Sequence, residues 1–263
     1  MQNIDPLYFL TPVVTLCFSF GLVAYLASKK RFSRWVLFAS LAAYAGAIAM
    51  KEVVQGASYQ AFDAAVGGNP LWLGLYFGLQ TVVFEVGGAF LVAAFAVSRR
   101  KMWRKDAAGF GAGLAMWENG VLVGGTLLLN YLVYYLVLGS GGSSAALLSG
   151  ELSKDAPALF YQASAALPLI GYATLERVSS LLAHFAWGYL AVLAAVTGRR
   201  AYLGIALPMG LVDAVVPLSS SIGLGRSEAL IFAFSAASLA VALATTRKER
   251  AGALSEEAAR AKN

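Results

Sequence analysis

The chain has 263 residues, of which 59% are hydrophobic and only 13% are charged. About a quarter of the residues of a water-soluble domain are charged, so this composition excludes one and predicts an integral membrane protein. The single cysteine, Cys17, excludes an internal disulfide, and the single histidine, His184, excludes a haem held by two imidazoles of the chain. The net charge of +6 does not by itself indicate a binding partner such as nucleic acid, because that depends on where the charged residues lie along the chain.

Seven apolar segments are long enough to cross the hydrocarbon core as helices. A helix is the only form open to them, because lipid satisfies no backbone polar group. The predicted fold class is therefore all-α, a polytopic transmembrane helix bundle. We expect residues 1–250 to form one transmembrane domain and residues 251–263 to form a C-terminal tail. The predicted spans are 6–27, 35–54, 70–97, 107–139, 173–198, 201–222 and 228–246.

The segment between the fourth and fifth spans has a composition of its own. It starts with glycine and serine at 139–144, and its second part, 156–172, is apolar but contains Pro157 and Pro168. We interpret 156–172 as an interfacial or re-entrant helix. The alternative is an eighth span, which would reverse the orientation of all that follows.

The positions of the basic residues predict the orientation, because Lys and Arg accumulate on the cytoplasmic side. Sixteen of them fall on one face, and three fall on the other: Lys51, Lys154 and Arg226. This predicts an extracytoplasmic N-terminus and a cytoplasmic C-terminus in a plasma membrane. The basic residues then lie beside anionic lipid, so we expect the bilayer, and no nucleic acid, as a partner. The sixteen are Lys29, Lys30, Arg31, Arg34, Arg99, Arg100, Lys101, Arg104, Lys105, Arg199, Arg200, Arg247, Lys248, Arg250, Arg260 and Lys262.

Once the charged residues near the ends of the predicted spans are assigned to the loops, six ionisable residues remain inside, where an ionisable side chain is a candidate for function. At 1.5 Å per residue, Glu85, Glu118 and Asp213 lie about 18 Å from the cytoplasmic ends of their spans, and His184 lies about 21 Å in. Glu176 and Arg177 lie near the outer boundary, about 30 Å in. Four helices therefore bring a polar group to one level near the middle of the membrane.

An imidazole and several carboxylates are a plausible set of metal ligands, although the chain has no HExxH motif. His184, Glu118 and Asp213 would suffice as ligands, with Glu85 as a possible base. An aspartyl mechanism needs two aspartates, and Asp213 is the only one at this depth. No nucleophile motif surrounds the serines next to His184. The same residues could instead carry protons or fix the packing of the helices.

The stretch Leu175-Glu176-Arg177-Val178, followed by His184, is similar to the ER-x(6)-H helix of the YhfC-type intramembrane metalloprotease family. Upstream, the run from Phe84-Glu85 through a basic loop to Asp106 and Gly111-x-Gly113-x(4)-Glu118 resembles further motifs of that family in order and spacing. Downstream, Met209-x(3)-Asp213 lies where the family has H-x(3)-D. The resemblance covers about residues 70–220. The family is a distant relative of the CAAX-protease and bacteriocin-processing membrane peptidases.

The resemblance implies a hydrolase that binds zinc and cleaves a membrane-embedded peptide or protein. The catalytic residues it implies are Glu85, Glu118, Glu176 and Arg177, and the metal ligands it implies are His184, Glu118 and Asp213. The chain departs from the family at three positions. Leu114 and Met209 stand where the family has histidines, and Ala89 stands where it has an arginine.

These departures leave two hypotheses. The first is an intramembrane metallopeptidase in which Glu85 is the general base and Arg177 orients Glu176 or a substrate carbonyl. The second is a non-catalytic binding or assembly subunit, or a small proton-coupled carrier that uses the same acids. A cavity open sideways to lipid would suit a peptidase, and one open to an aqueous face would suit a carrier. A closed site in which each acid has a protein partner would suit the non-catalytic protein.

Overall fold

A computed structural model describes residues 3–29 and 32–260, with side chains described up to residue 245. Every element within these residues is helical, which confirms the all-α class. Seven helices are long and apolar enough to cross a membrane, as predicted. We number them α1 to α4 and α6 to α8, because a short helix, α5 (Gly142–Asp155), lies between the fourth and fifth. Their bounds are Pro6–Ser28, Arg34–Val66, Pro70–Ser98, Arg104–Ser140, Ala163–Thr197, Arg200–Ile222 and Leu224–Thr245.

The second span is much longer than predicted. It continues to Val66, and Gly67 then ends it in the left-handed conformation. Asn69 caps the next helix, since its side chain accepts a hydrogen bond from the backbone N–H of Leu71. The sequence prediction ended this span at residue 54 and placed Lys51 on the outer face of the membrane. That placement is wrong, because Lys51 lies inside α2, well before its end at Val66.

The region between α4 and α6 also differs from the prediction. No separate helix covers 156–172: a short 3₁₀ turn occupies Pro157–Phe160, and residues 163–172 are the first turns of α6. The additional helix is α5, and its first residues are the predicted glycine-rich loop. Together with the start of the chain, this region forms a small apolar core of its own. Its buried residues are Ile4, Tyr8, Leu138, Leu152, Leu159, Ala166 and Ile170.

Helix α6 is the centre of the bundle. In its most apolar 18-residue window 61% of the residues are buried, compared with 11–33% in the other six spans. Trp187, Leu190 and Leu193 are almost fully buried in it. Two glycines allow α4 to approach closely, since a Cβ on Gly188 would lie 2.8 Å from the Cα of Gly111. This close approach brings the polar residues of α4 against those of α6.

Three of the spans contain irregular stretches next to α6. Helix α3 has a π-helical stretch at Thr81–Gly87, and α4 has one at Met116–Gly125. Helix α7 is a 3₁₀ helix over Leu207–Leu218. Extended stretches of either kind are uncommon, and π-helical turns occur frequently at functional sites. Each of the three stretches carries one of the acidic residues selected from the sequence.

The loops after α1, α3 and α6 lie at one end of the bundle, because each crossing reverses the chain. They hold the described basic residues Lys29, Arg34, Arg199 and Arg200 and the group at 99–105. Residues 30 and 31, and the predicted basic side chains beyond residue 245, lie outside the described part. The extracytoplasmic placement of the N-terminus stays a prediction.

Candidate metal centre

His184 lies at the middle of a buried polar cluster. Its Nδ1 lies 2.9 Å from the carbonyl oxygen of Ser180, and a carbonyl only accepts, so Nδ1 carries the hydrogen and donates it. Its Nε2 lies 3.0 Å from Oε2 of Glu85 and also contacts Oε2 of Glu118. Two carboxylates therefore face Nε2. Either the imidazole ring carries a second proton, on Nε2, or Nε2 and the carboxylates share a cation.

Glu85 connects the imidazole to a lysine. Its Oε1 accepts a hydrogen bond of 2.6 Å from the ammonium of Lys51, while its Oε2 faces His184. Lys51 also donates to Oγ1 of Thr81 at 2.9 Å and lies 3.5 Å from Oδ2 of Asp213. The hydroxyl of Thr81 in turn donates to the same Oδ2. The side chains of Lys51 and Glu85 are only 15% and 7% exposed, so this ion pair is buried.

Glu118 has a different set of partners. Its Oε1 accepts a hydrogen bond of 3.1 Å from the hydroxyl of Ser180. The nearest guanidinium nitrogen of Arg177 is 4.0 Å away, at the edge of ion-pair range, and Arg177 binds Glu176 directly. Asn119 donates to Ser180 at 3.0 Å and so helps to hold that hydroxyl in place.

The π-helical stretch of α4 positions this side of the cluster. In a π helix each N–H bonds to the carbonyl five residues earlier, which widens the turn. Gly124 stands five residues after Asn119, and a Cβ there would lie 2.8 Å from the Asn119 carbonyl oxygen. The missing side chain at Gly124 therefore makes room for the wide turn on which Glu118 and Asn119 lie.

Apolar residues enclose the cluster on the side of Glu85. The ring of Trp187 packs 4.2 Å from that of His184, centroid to centroid. Leu114, which stands where the resemblance has a histidine, is buried beside Glu85 and His184 together with Tyr44. Met209, at the second such position, is buried in the apolar core. Neither position adds an imidazole to the centre.

A cavity of about 60 Å³ lies on the other side, lined in part by Glu118, His184 and Asp213. Its most exposed lining residue is Val216, at 50%, and the side chains of Asp213 and Glu176 are 36% and 39% exposed. These three residues mark the mouth. The cavity is large enough for a few water molecules.

Glu85, Glu118 and His184 fit a divalent metal. Each offers one ligand atom, and these atoms lie within 4.8 Å of one another. The bond from Nδ1 to a backbone carbonyl is the arrangement that orients most metal-binding histidines. The formal charges agree: four carboxylates (Glu85, Glu118, Glu176 and Asp213) against the two cations Lys51 and Arg177 leave −2, with a neutral imidazole.

The structure brings three of the six predicted residues into one group and places the others around it. Asp213 reaches the group through Lys51 and Thr81 and also lines the cavity. Glu176 and Arg177 form an ion pair on the cavity wall, at the side of Glu118. The catalytic and ligand roles given to all six from the sequence stay predictions.

Sequence reasoning missed Lys51 and Thr81, and it considered Ser180 only as a nucleophile and not as a partner of Glu118. The sequence did contain a signal for Lys51. Gly56 is the only glycine or proline from Gln55 to Val66, so a helix can continue past the lysine. A second signal was the imbalance of charge among the residues predicted inside the membrane, where four acidic residues stand against the single cation Arg177 and so indicate a further cation. No comparable signal marks the two hydroxyl residues, since Ser and Thr are common in membrane helices.

The helix bundle and its buried acid–imidazole cluster define the class: an integral multi-pass membrane protein with a metal-type donor set inside the bundle. The sequence pattern of the YhfC intramembrane metalloprotease family matches residues 13–240. The chain therefore belongs to this family. Comparisons with curated proteins and with solved structures gave no match.

Proposed function

We propose that the protein is an intramembrane metallopeptidase that hydrolyses a peptide bond of a membrane-embedded substrate, in a plasma membrane. The observation that carries this proposal is the convergence of Glu85, Glu118 and His184 within 4.8 Å. Family membership agrees with it.

In this proposal His184, Glu118 and Glu85 hold one divalent ion, with zinc as the ion that the family implies. When bound, such an ion acts as a Lewis acid and makes a nucleophile of water at neutral pH. Glu85 then belongs to the ligands, because its Oε2 faces Nε2 of His184. Asp213 takes the role of base first given to Glu85, since it lines the water-sized cavity and its side chain is 36% exposed.

Arg177 has a supporting role in this scheme. It binds Glu176 directly and lies 4.0 Å from Glu118, so it fixes the first of these acids on the cavity wall and restrains the second only loosely. Trp187 covers one face of the imidazole and keeps bulk water from that side. The cavity of about 60 Å³ admits water but no peptide segment, so a substrate has to widen the mouth between α6, α7 and α8.

The experiment combines metal content with cleavage products. We expect purified protein to hold one divalent ion per chain and His184→Ala to lose it, since a ligand is removed. Thr197→Ala is the matched control, because its hydroxyl bonds only backbone groups at the end of α6: it donates to the carbonyl of Leu193 and accepts from the N–H of Arg199. In membranes that contain the wild type, mass spectrometry should detect new peptide ends inside membrane segments, absent with His184→Ala. No bound metal, or identical peptide ends, would refute the proposal.

One observation favours the second candidate, a non-catalytic protein. Glu85, Glu118, Glu176 and Asp213 each have an ion-pair or hydrogen-bond partner within the protein, so each acid has a contact that needs no metal ion. The same metal measurement separates the two candidates. A structural cluster would bind no metal, and His184→Ala would lower only the thermal stability.

A further inference from the structure

Lys51 has no part in the proposed chemistry, yet it is the most completely bonded cation of the cluster. It stands 17 residues after Arg34, so it lies about 26 Å along α2 at 1.5 Å per residue. An ammonium has three N–H donors, and three acceptors surround this one. They are Oε1 of Glu85 at 2.6 Å, Oγ1 of Thr81 at 2.9 Å and Oδ2 of Asp213 at 3.5 Å.

These acceptors are all oxygen atoms, and two of them belong to carboxylates. Oxygen ligands of this kind are those that hard divalent cations prefer. The ammonium is therefore surrounded by oxygen atoms of the kind that bind a metal ion. The hydroxyl of Thr81 fixes this arrangement further, because it bonds Oδ2 of Asp213 and holds that carboxylate toward the lysine.

Glu85 joins this position to the proposed metal position. Its Oε1 is bound to Lys51 and its Oε2 faces His184, so one carboxylate has a cation position on each side. In two-metal hydrolytic sites the ions lie about 3.5–4 Å apart and share ligands of this kind. Here a covalently attached ammonium stands where the second ion of such a pair would stand.

We propose that Lys51 limits the centre to one divalent ion by placing its ammonium between Glu85, Thr81 and Asp213, where a second ion would otherwise bind. This inference rests on the proposed function, because the first ion is the one held beside His184. Lys51 is thus a positioning residue: it reserves Oε1 of Glu85 and leaves only Oε2 for the ion.

The test counts Mn²⁺ ions in the purified full-length protein. After treatment with a chelator, the protein is equilibrated with Mn²⁺, and metal per chain and the Mn²⁺ spin-resonance spectrum are recorded. We expect one isolated ion in the wild type and in Lys51→Arg, which keeps a cation. We expect two ions with a spin-coupled spectrum in Lys51→Ala. The double variant Lys51→Ala with Asp213→Asn should return to one, because the second position loses a carboxylate.

Lys51→Gln protects the test against misfolding, since it removes the charge but keeps a polar side chain of similar length. A purely structural lysine predicts the opposite result, with unchanged or weaker metal binding in all neutral variants. If Lys51→Ala and Lys51→Gln both fold and still hold a single ion, the inference is overturned.

The proposed function fails separately. If the wild type binds no Mn²⁺ while Lys51→Ala binds one ion that survives His184→Ala, the second position exists and the proposed metallopeptidase site does not. If the wild type binds one ion that His184→Ala removes, and Lys51→Ala adds none, the proposed function stands and the role of Lys51 does not.

Discussion

The cluster has two ends, each with a carboxylate and a cation, and they are built differently. At one end Lys51 and Glu85 are 2.6 Å apart and almost fully buried. At the other end Arg177 and Glu118 are 4.0 Å apart, and Arg177 binds the half-exposed Glu176 instead. The first end is a fixed ion pair in an apolar surrounding, and the second is a loose one on the wall of a cavity. Glu118 therefore has more freedom than Glu85 to respond to a ligand or substrate.

The largest difference between the ends should follow from removing each cation. Lys51→Met leaves the buried Glu85 carboxylate, and the partly exposed Asp213, without their cation, so we expect the free energy of unfolding to fall by about 3–5 kcal/mol. Arg177→Met should cost less, about 1–3 kcal/mol, because its direct partner Glu176 is 39% exposed and its pair with Glu118 is loose. The measurement is unfolding by SDS in mixed micelles. Lys105→Met, at the exposed start of α4, is the control that should change nothing.

A smaller effect should come from separating α4 from α6. In Gly188→Ala the new Cβ would lie 2.7 Å from Cδ1 of Leu114 and 2.8 Å from the Cα of Gly111. The helices must move apart, and we expect a loss of about 1–3 kcal/mol in the free energy of unfolding. The change should loosen Glu118, which is on α4, more than Glu85, which is on α3. Gly171→Ala, on α6 with open space around it, is the matched control.

A loss in Gly171→Ala equal to that in Gly188→Ala would mean that the helix contact is not responsible. The same unfolding measurement on both variants decides this.

The smallest effect is the coupling across the loose end. In a double-mutant cycle of Arg177→Met and Glu118→Gln we expect a coupling energy below about 1 kcal/mol. The cycle of Lys51→Met and Glu85→Gln should give a larger value, since that pair is buried and in direct contact. Equal coupling energies in the two cycles would contradict the distinction between the ends.

The spans and the depth of the site residues were predictable from the sequence. Hydropathy marks the seven crossings, and counting residues from the basic loops placed Glu85, Glu118 and His184 at one level, where they meet. The family motifs were predictable as well, because they consist of spacings such as that from Glu176-Arg177 to His184.

The partners of these residues were not predictable. The direction of a side chain around the helix axis follows from 100° per residue only in a regular α-helix. The stretches Thr81–Gly87 and Met116–Gly125 are π-helical. Their turns depend on contacts with neighbouring helices, which a sequence pattern does not contain. Lys51 was misplaced for a related reason: a charge usually ends a membrane helix, unless partners on other helices neutralise it.

The rotation that turns Glu85 toward His184 makes the centre sensitive to insertions and deletions. Deleting one residue between Pro70 and Gln80, where α3 is a regular α-helix, would shorten α3 by about 1.5 Å and turn the residues on one side of the deletion by about 100° relative to the other. A bilayer tolerates the change in length by a slight tilt of the helix. It does nothing to correct the rotation, which would carry the Glu85 carboxylate away from the imidazole. The centre therefore tolerates a change in the length of these spans more easily than a change in their rotation about the helix axis.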